Sequence, residues 1–194
     1  GEHHVDNALA AAAAASAAGV SFDAIVSGLN AAEQRSPGRM QVSELPHGVT
    51  LINDAYNANP DSMRAGLSAL AVLGRERYTV AVLGQMLELG DESAEAHRSM
   101  GRFAAENGID VVIAIGEGAR DIYEGVTETR GEGEGAVYVE SLDEAPAVLE
   151  TVRRPESTLL LKSSNGAGLA KLGESLVRTW GAESTKADNA GEKA

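Results

Sequence analysis

The sequence predicts an α/β fold: a three-layer domain with a mainly parallel β-sheet, preceded by a short helical segment. Short runs of β-branched and aliphatic residues alternate with longer stretches of helical periodicity, a pattern typical of a parallel sheet covered by helices on both faces. Aromatic residues make up only 4% of the chain, so the core must be built from aliphatic side chains. Packed helix and sheet layers accept such a core more readily than an aromatic-rich barrel does.

The first segment, residues 1–41, is predicted to be helical. Alanine has the highest helix propensity and dominates its first half, so we expect a helix over residues 5–18 that ends at Gly19. Ser21 is a suitable N-cap for a second amphipathic helix. The turn-forming cluster of serine, proline and glycine at 36–38 then predicts a domain boundary.

Residues 42–182 are predicted to form the three-layer domain, because strand and helix patterns alternate along them. We expect strands at 49–53, 78–83, 111–115, 136–139 and 158–161. We expect helices at 62–73, 94–107, 119–126, 143–152 and 167–180. The remaining residues, 183–194, are polar and show no periodicity, and the sequence predicts that they form a disordered tail.

Composition excludes several classes of function. The net charge is -13, with 29 acidic against 16 basic residues, which argues against a nucleic-acid-binding surface. A mononucleotide can still be bound, because backbone N–H groups and helix N-termini can hold its phosphates. The absence of cysteine excludes disulfides and thiolate metal sites. The apolar run at 8–18 is too short to span a bilayer, so we expect no membrane insertion and a cytoplasmic location.

Polar side chains follow the strand predicted at 49–53. They are Asp54, Tyr56, Asn57 and Asn59. In parallel sheets, ligands bind at the carboxyl ends of the strands, and a carboxylate there can accept hydrogen bonds from a ribose. The alternative is structural, since Asn and Asp are common in turns and Asp61 or Ser62 can cap the helix that follows. Both interpretations remain open for each residue.

Later strand ends carry weaker signals. Glycine pairs follow the strands predicted at 78–83 and 111–115, and each pair is sufficiently explained by a tight turn into a helix. His97 belongs to the helix predicted at 94–107. We expect it on the surface of that helix and assign it no catalytic role.

Five segments of the chain resemble the Mur ligase family in order and spacing. They are GEHHVDNALAAAAAA, SPGRM, LINDAYNANPDSM, AVLGQMLELGDES and LLLKSSNGAGL. The resemblance extends to about Trp180 and implies the C-terminal third of such a ligase, with the helical end of the central ATP-binding domain followed by a Rossmann-like domain. Members that add an amino acid usually carry an Asp-Tyr-Ala-His-x-Pro motif. The Tyr-Asn-Ala-Asn-Pro at 56–60 instead resembles the members that add D-alanyl-D-alanine.

The resemblance also implies a reaction. ATP activates the carboxylate of UDP-N-acetylmuramoyl-tripeptide as an acyl phosphate, and the amine of D-alanyl-D-alanine attacks it during peptidoglycan precursor synthesis. The chain contains no Gly-x-x-x-x-Gly-Lys-Ser/Thr motif. In the family, the main sites for ATP, Mg and the UDP-sugar lie in the N-terminal and central domains. We therefore expect the fragment to be inactive alone, with no residue assigned as catalytic or as a metal ligand.

Two other functions remain open. One is a different Mur-type or folylpolyglutamate-type ligase. The asparagines at 57 and 59 are the feature that argues against it. The other is a non-catalytic α/β binding module, which would explain the fold but not five family-like segments in order.

The resemblance assigns nucleotide binding to seven residues: His3, Asn7, Arg39, Asp54, Tyr56, Asn57 and Asn59. Asn7 would contact the adenine, Arg39 would lie near the phosphates, and Asp54 would accept hydrogen bonds from the ribose. Asn57 and Asn59 are alternatively contacts of the dipeptide. The structural alternative for Asn7 is the N-cap of the helix that follows it.

A second group of residues, after the last predicted strand, is assigned to the dipeptide. Its members are Lys162, Ser163, Ser164 and Asn165. A lysine and hydroxyl groups beside a helix N-terminus suit a carboxylate. The family often has Lys-Gly-Ser-Arg here, so the sequence departs from it at Ser163 and Asn165. The sequence therefore leaves open which of the four residues contacts the substrate. The alternative for Lys162 is a solvated lysine at a strand end.

Overall fold

The computed structural model describes residues 2–31 and 38–191. The chain divides into two compact units, residues 1–35 and residues 36–194. The predicted boundary cluster at 36–38 lies at this division, whereas residues 38–41, which the sequence assigns to the first segment, belong with the second unit. The difference arises because a strand that the sequence does not predict begins at Gln41.

The first unit consists of two helices in its described residues. They are α1 (Glu2–Ala17) and α2 (Phe22–Asn30). The turn between them contains Gly19 at a φ of +84°, a conformation that glycine adopts without strain. Ser21 caps α2 as predicted, because its side chain accepts a hydrogen bond from the backbone N–H of Ala24 at 3.4 Å.

The second unit contains a six-stranded sheet within its described residues. The strands are β1 (Gln41–Leu45), β2 (Val49–Asn53), β3 (Thr79–Leu83), β4 (Val111–Ile115), β5 (Ala136–Val139) and β6 (Thr158–Lys162). The helices are α3 (Pro60–Leu73), α4 (Ser93–Glu106), α5 (Arg120–Arg130), α6 (Ala145–Val152) and α7 (Leu169–Gly191). The strand order is β1-β2-β6-β3-β4-β5, and only the β1–β2 pair is antiparallel. The predicted mainly parallel sheet is confirmed.

Two apolar cores lie on opposite faces of this sheet. Helices α6 and α7 cover one face, where Leu149 and Trp180 are buried. Helices α3, α4 and α5 cover the other, where Leu67 and Met100 are buried. Every residue of β2, β3, β4 and β6 is buried, which accounts for the continuous apolar runs in the sequence.

Strand β6 returns across the sheet to lie between β2 and β3, parallel to both. Leu161 pairs with Asn53 of β2, and Lys162 pairs with Leu83 of β3. The carboxyl ends of these three strands are therefore neighbours. The loops that follow them meet at one edge of the sheet.

Helix α7 is longer than predicted. It continues to Gly191, and so it includes most of the segment for which the sequence predicts a disordered tail. Alanine, glutamate and lysine, which favour helix, are frequent beyond residue 180, and no proline interrupts them. No helix among residues 2–31 and 38–191 is both long and apolar enough to cross a membrane.

Candidate functional site

A buried ion pair joins the ends of β2 and β6. The Lys162 ammonium donates to Asp54 Oδ2 at 2.5 Å and to the Asn57 carbonyl at 3.2 Å. The Lys162 side chain is 2% exposed and that of Asp54 is 17% exposed. The second carboxylate oxygen, Oδ1, accepts from the Met40 N–H at 3.0 Å. Since an unpaired buried ammonium is strongly unfavourable, the pair fixes the loop after β2 to the end of β6.

This pairing bears on two predicted roles. The sequence assigns Asp54 to the ribose and Lys162 to the dipeptide, but the structure joins the two side chains to each other. The alternative of a solvated Lys162 is wrong, because the residue is 2% exposed and its aliphatic stem packs against Gly66 of α3. The two residues act as one unit in this structure.

The hydroxyl of Ser164 connects two loops. It accepts from the Leu87 N–H at 3.0 Å and donates to the Ala58 carbonyl at 3.3 Å. The Ser164 N–H donates to the Gln85 carbonyl at 2.9 Å. The end of β6 is therefore bonded both to the loop after β3 and to the loop after β2.

The other two residues of the predicted dipeptide group differ in exposure. Ser163 is fully buried, and its hydroxyl has no hydrogen-bond partner among the described residues. It lies against Gly84, where a Cβ would approach Ser163 Cβ to 2.8 Å. Asn165 is exposed. Of the four residues at 162–165, Asn165 is therefore the one whose side chain faces solvent.

The loop after β2 combines a helix cap with exposed polar groups. Asn59 is the N-cap of α3: its side chain accepts from the Ser62 N–H at 2.8 Å, and the Ser62 hydroxyl accepts from the Asn59 N–H at 3.1 Å. The helix cap is therefore Asn59, whereas the sequence predicts Asp61 or Ser62 in that position. The side chains of Tyr56 and Asn57 are exposed. This loop thus presents an aromatic ring and an amide beside the buried ion pair.

Arg39 lies next to Tyr56. The central carbon of its guanidinium is 4.1 Å from the centre of the tyrosine ring, a cation–π contact. The Tyr56 N–H donates to the Gly38 carbonyl at 2.9 Å, which holds the two segments together. The structure therefore brings Arg39, Tyr56 and Asp54 to the same strand end, as their assignment to one ligand requires.

His97 is buried rather than on a helix surface, so that expectation is wrong. Its side chain lies on the face of α4 that packs against the loop after β3, and it is 1% exposed. Nε2 accepts from the Met86 N–H at 2.7 Å, and Nδ1 lies 2.7 Å from the Ser93 carbonyl oxygen. The helical spacing of Ser93 and His97 fits this contact, but the sequence does not reveal that the loop folds back onto α4.

The loop after β4 carries an exposed polar cluster. Glu117 accepts hydrogen bonds from Arg120 and from the Tyr138 hydroxyl, both at 3.1 Å. The bond from Arg120, followed by that from Tyr138, lowers the pKa of the Glu117 carboxyl. Desolvation, followed by the bond to Glu117, raises the pKa of Tyr138. A Cβ on Gly118 would lie 2.0 Å from Gln85 Oε1, so this loop lies against the loop after β3.

Two predicted nucleotide contacts belong to the first unit. Asn7 is exposed and lies inside α1, which begins at Glu2, so it is not the N-cap. The His3 side chain lies outside what the structure describes. The roles of both residues remain predictions.

A cleft of about 530 Å³ lies elsewhere, at the amino ends of the strands. Several of the polar groups that line it are paired with one another or with the backbone. Asp110 accepts from the N–H and hydroxyl of Thr79, each at 2.8 Å, and Arg77 donates to the Glu156 and Ser157 carbonyls. Among the described residues, no group of three or more His, Asp or Glu side chains is placed to hold a metal ion.

The family model of the Mur ligase, glutamate ligase domain, matches residues 38–165. The chain belongs to the Mur ligase family. The resemblance carried by the five segments is confirmed. The matched region contains all six strands and both loops joined by the Asp54–Lys162 pair.

Named relatives are consistent with this membership. The chain is 41% identical over 194 residues to the UDP-N-acetylmuramoyl-tripeptide--D-alanyl-D-alanine ligase of Mycobacterium tuberculosis, covering 91% of this chain and 38% of the relative. It is 31% identical over 179 residues to the ligase of the same name from Bacillus subtilis, covering 92% of this chain and 39% of the relative. A crystal structure of MurF from Acinetobacter baumannii superposes with a TM-score of 0.80 at 33% identity, covering 92% and 38% of the two chains. The chain thus spans less than two fifths of the length of these relatives.

Proposed function

We propose that the chain is the C-terminal part of an ATP-dependent amide ligase that joins D-alanyl-D-alanine to UDP-N-acetylmuramoyl-tripeptide through an acyl phosphate, in peptidoglycan precursor synthesis. The observation that carries this proposal is the 41% identity to the M. tuberculosis ligase of that name along 91% of the chain. The polar loop at 54–59, placed at the carboxyl end of β2, agrees with it.

The nucleotide side of the site is proposed to include Arg39, Tyr56 and Asp54. A guanidinium beside an exposed aromatic ring suits a nucleotide, because the ring offers a stacking face and the guanidinium offers a fixed set of donors to phosphate. Asp54 would reach a ribose only with the oxygens that also hold Lys162 and Met40, so its main role in this proposal is to order the loop. Asn7, assigned to the adenine, and His3, which belongs to the same motif, remain predicted nucleotide contacts of the first unit.

The dipeptide side is proposed to use the exposed amides of Asn57 and Asn165. Lys162, Ser163, Ser164 and Asn59 would support these contacts from buried or capping positions. ATP phosphates and Mg would be held mainly upstream, and no step is assigned to the metal in this chain. Closure of the domain would bring this strip against the upstream site when both substrates are bound.

A chimeric enzyme tests the proposal. The part of the M. tuberculosis ligase that matches this chain is replaced by the chain itself, and phosphate release is measured with and without each substrate. We expect turnover that requires ATP, UDP-N-acetylmuramoyl-tripeptide and D-alanyl-D-alanine together. The 194-residue chain alone should release no phosphate, because the phosphate-binding loop is upstream.

Two results would contradict the proposal. A chimera that uses a single amino acid in preference to D-alanyl-D-alanine would indicate a different ligase of the family. A folded but inactive chimera would also count against it, provided that a matched chimera carrying the B. subtilis segment is active. That second chimera controls for mismatch between segments of different origin, since its segment is also a relative of this chain at 31% identity.

A further inference from the structure

The two ring nitrogens of His97 face different backbone groups, and the contacts select one tautomer of the ring. Nε2 faces the Met86 N–H at 2.7 Å and must therefore be the unprotonated acceptor. Nδ1 faces the Ser93 carbonyl oxygen at 2.7 Å and must carry the proton. The residue is 1% exposed, so both ring nitrogens are shielded from bulk solvent. Both contacts are satisfied together by the neutral ring protonated at Nδ1.

The loop after β3 is bonded on two sides. The Met86 N–H binds His97 of α4, and the next amide, that of Leu87, binds the Ser164 hydroxyl. The preceding residue, Gln85, accepts from the Ser164 N–H through its carbonyl. Three consecutive residues are thus anchored between α4 and the end of β6. Directly after them, Glu88 has a φ of +65°, which is unfavourable for a residue with a side chain and needs such anchoring.

The anchored loop connects to the candidate site through Ser164. The hydroxyl that accepts from Leu87 also donates to the Ala58 carbonyl at 3.3 Å. Ala58 lies between Asn57, whose carbonyl holds the Lys162 ammonium, and Asn59, which caps α3. A displacement of the loop at Met86 is therefore transmitted to the loop that carries the proposed ligand contacts.

We propose that His97 is a positioning residue for the ligase reaction: its Nε2 fixes the Met86–Leu87 segment, and Ser164 passes that constraint to the loop after β2. The kinetic part of this inference rests on the proposed function. His97 touches no substrate in this scheme. Its contribution is to hold the Asn57 and Asn165 contacts in one geometry before substrate arrives, which favours the reactive arrangement.

Two substitutions separate positioning from simple packing. In His97→Gln, the side-chain oxygen reaches the place of Nε2 and can accept from the Met86 N–H. In His97→Asn, the amide reaches only the place of Nδ1, so the bond to Ser93 can persist while Met86 loses its acceptor. Both variants put a polar amide in the same buried site, so a purely structural role would make them similar.

The first measurement uses the 194-residue chain and no substrate. Hydrogen exchange followed by NMR should show the Met86 and Leu87 amides exchanging at least tenfold faster in His97→Asn than in the parent, while His97→Gln stays within about threefold. The amides of the β4 strand serve as internal controls and should not change. Equal acceleration in both variants, or acceleration across the whole sheet, would overturn the inference.

The second measurement uses the active chimera. We expect kcat/KM for D-alanyl-D-alanine to fall at least tenfold in His97→Asn and to be largely restored in His97→Gln. Equal kinetics in His97→Asn and the parent would overturn the positioning role. Failure of the proposed function would be seen separately, as lack of D-alanyl-D-alanine use by the unsubstituted chimera. The exchange measurement would decide the structural part of the inference even then.

Discussion

At the residue scale, the buried Asp54–Lys162 pair dominates the candidate site. Both carboxylate oxygens and the ammonium are engaged, so neither residue can change its interactions without affecting the other. The stem of Lys162 runs past Gly66 of α3, where a Cβ would come within 3.1 Å of Lys162 Cδ. The pair therefore joins α3, the loop after β2 and the end of β6.

Removing the acid of this pair alone should be more harmful than removing both partners. Asp54→Ala leaves the ammonium buried and unpaired, and we expect it to lower the free energy of unfolding by about 3–5 kcal/mol. Lys162→Met should have a smaller effect, because the carboxylate of Asp54 is 17% exposed and keeps the Met40 N–H. The double variant should be more stable than Asp54→Ala alone.

Urea unfolding of the parent, both single variants and the double variant measures this coupling. Additive effects of the two substitutions would show that the ion pair is not a unit. In the chimera, additive effects of the two substitutions on enzyme activity would restore the simpler assignment, in which Asp54 serves the nucleotide and Lys162 serves the dipeptide.

The sequence could predict which residues form the site better than it could predict their partners. Asp54 and Lys162 were identifiable because charged side chains directly follow apolar strands. Their pairing depends on β6 lying beside β2, which the order of elements along the chain does not reveal. His97 was misassigned for the same reason, since its burial depends on a loop that folds back onto α4.

At the scale of elements, helices α4 and α5 pack so closely that each requires a glycine at the contact. A Cβ on Gly101 would lie 2.0 Å from the Ile122 carbonyl oxygen, and one on Gly125 would lie 2.1 Å from the Arg98 carbonyl oxygen. The two backbones are thus in direct contact. Half-exposed ion pairs from Arg98 to Asp121 and Glu128 border this contact and add little, because solvent screens them.

Gly101→Ala tests whether packing outweighs helix propensity. Alanine is the better helix former by about 1 kcal/mol, so propensity alone predicts stabilisation. The clash with the Ile122 backbone should reverse the sign and destabilise the domain by about 1–3 kcal/mol. Gly181→Ala in α7 is the matched control, because a Cβ there meets nothing within 4 Å, and it should be neutral or stabilising.

Unfolding midpoints in urea compare the two variants. If Gly101→Ala is as stable as Gly181→Ala, the close approach of α4 and α5 is wrong. A loss of cooperativity in Gly101→Ala, with the midpoint unchanged, would also contradict the packing argument.

Element prediction succeeded where the physical signal was local. The strand predicted at 111–115 matches β4, because a buried parallel strand is a continuous aliphatic run. Strand β1 was missed, since its residues are mostly exposed and it pairs only at the edge of the sheet. The turn after β1 also contains His47 at a φ of +62°. A histidine in the sequence does not predict this conformation, which is uncommon for residues other than glycine.

At the scale of the whole molecule, the return of β6 between β2 and β3 creates the site. Chain order alone would place the end of the last strand beyond β5, far from the loop after β2. Instead, the three loops that carry Asp54, Met86 and Ser164 meet at one edge. Sequence reasoning recognised the loops one by one, whereas their assembly is a property of the topology.

The second unit should fold without the first. Both apolar cores and all six strands lie within residues 36–194, and a domain with its own core is expected to fold alone. We predict that a chain shortened to 36–194 unfolds in one cooperative transition, with a Tm shifted by less than about 4 °C from that of the 194-residue chain. Calorimetry gives the Tm, and the NMR amide signals of β2, β3 and β6 report whether the sheet is unchanged. A shortened chain that unfolds without cooperativity, or whose β2 and β6 signals move, would show that residues 1–35 are needed to complete the sheet domain.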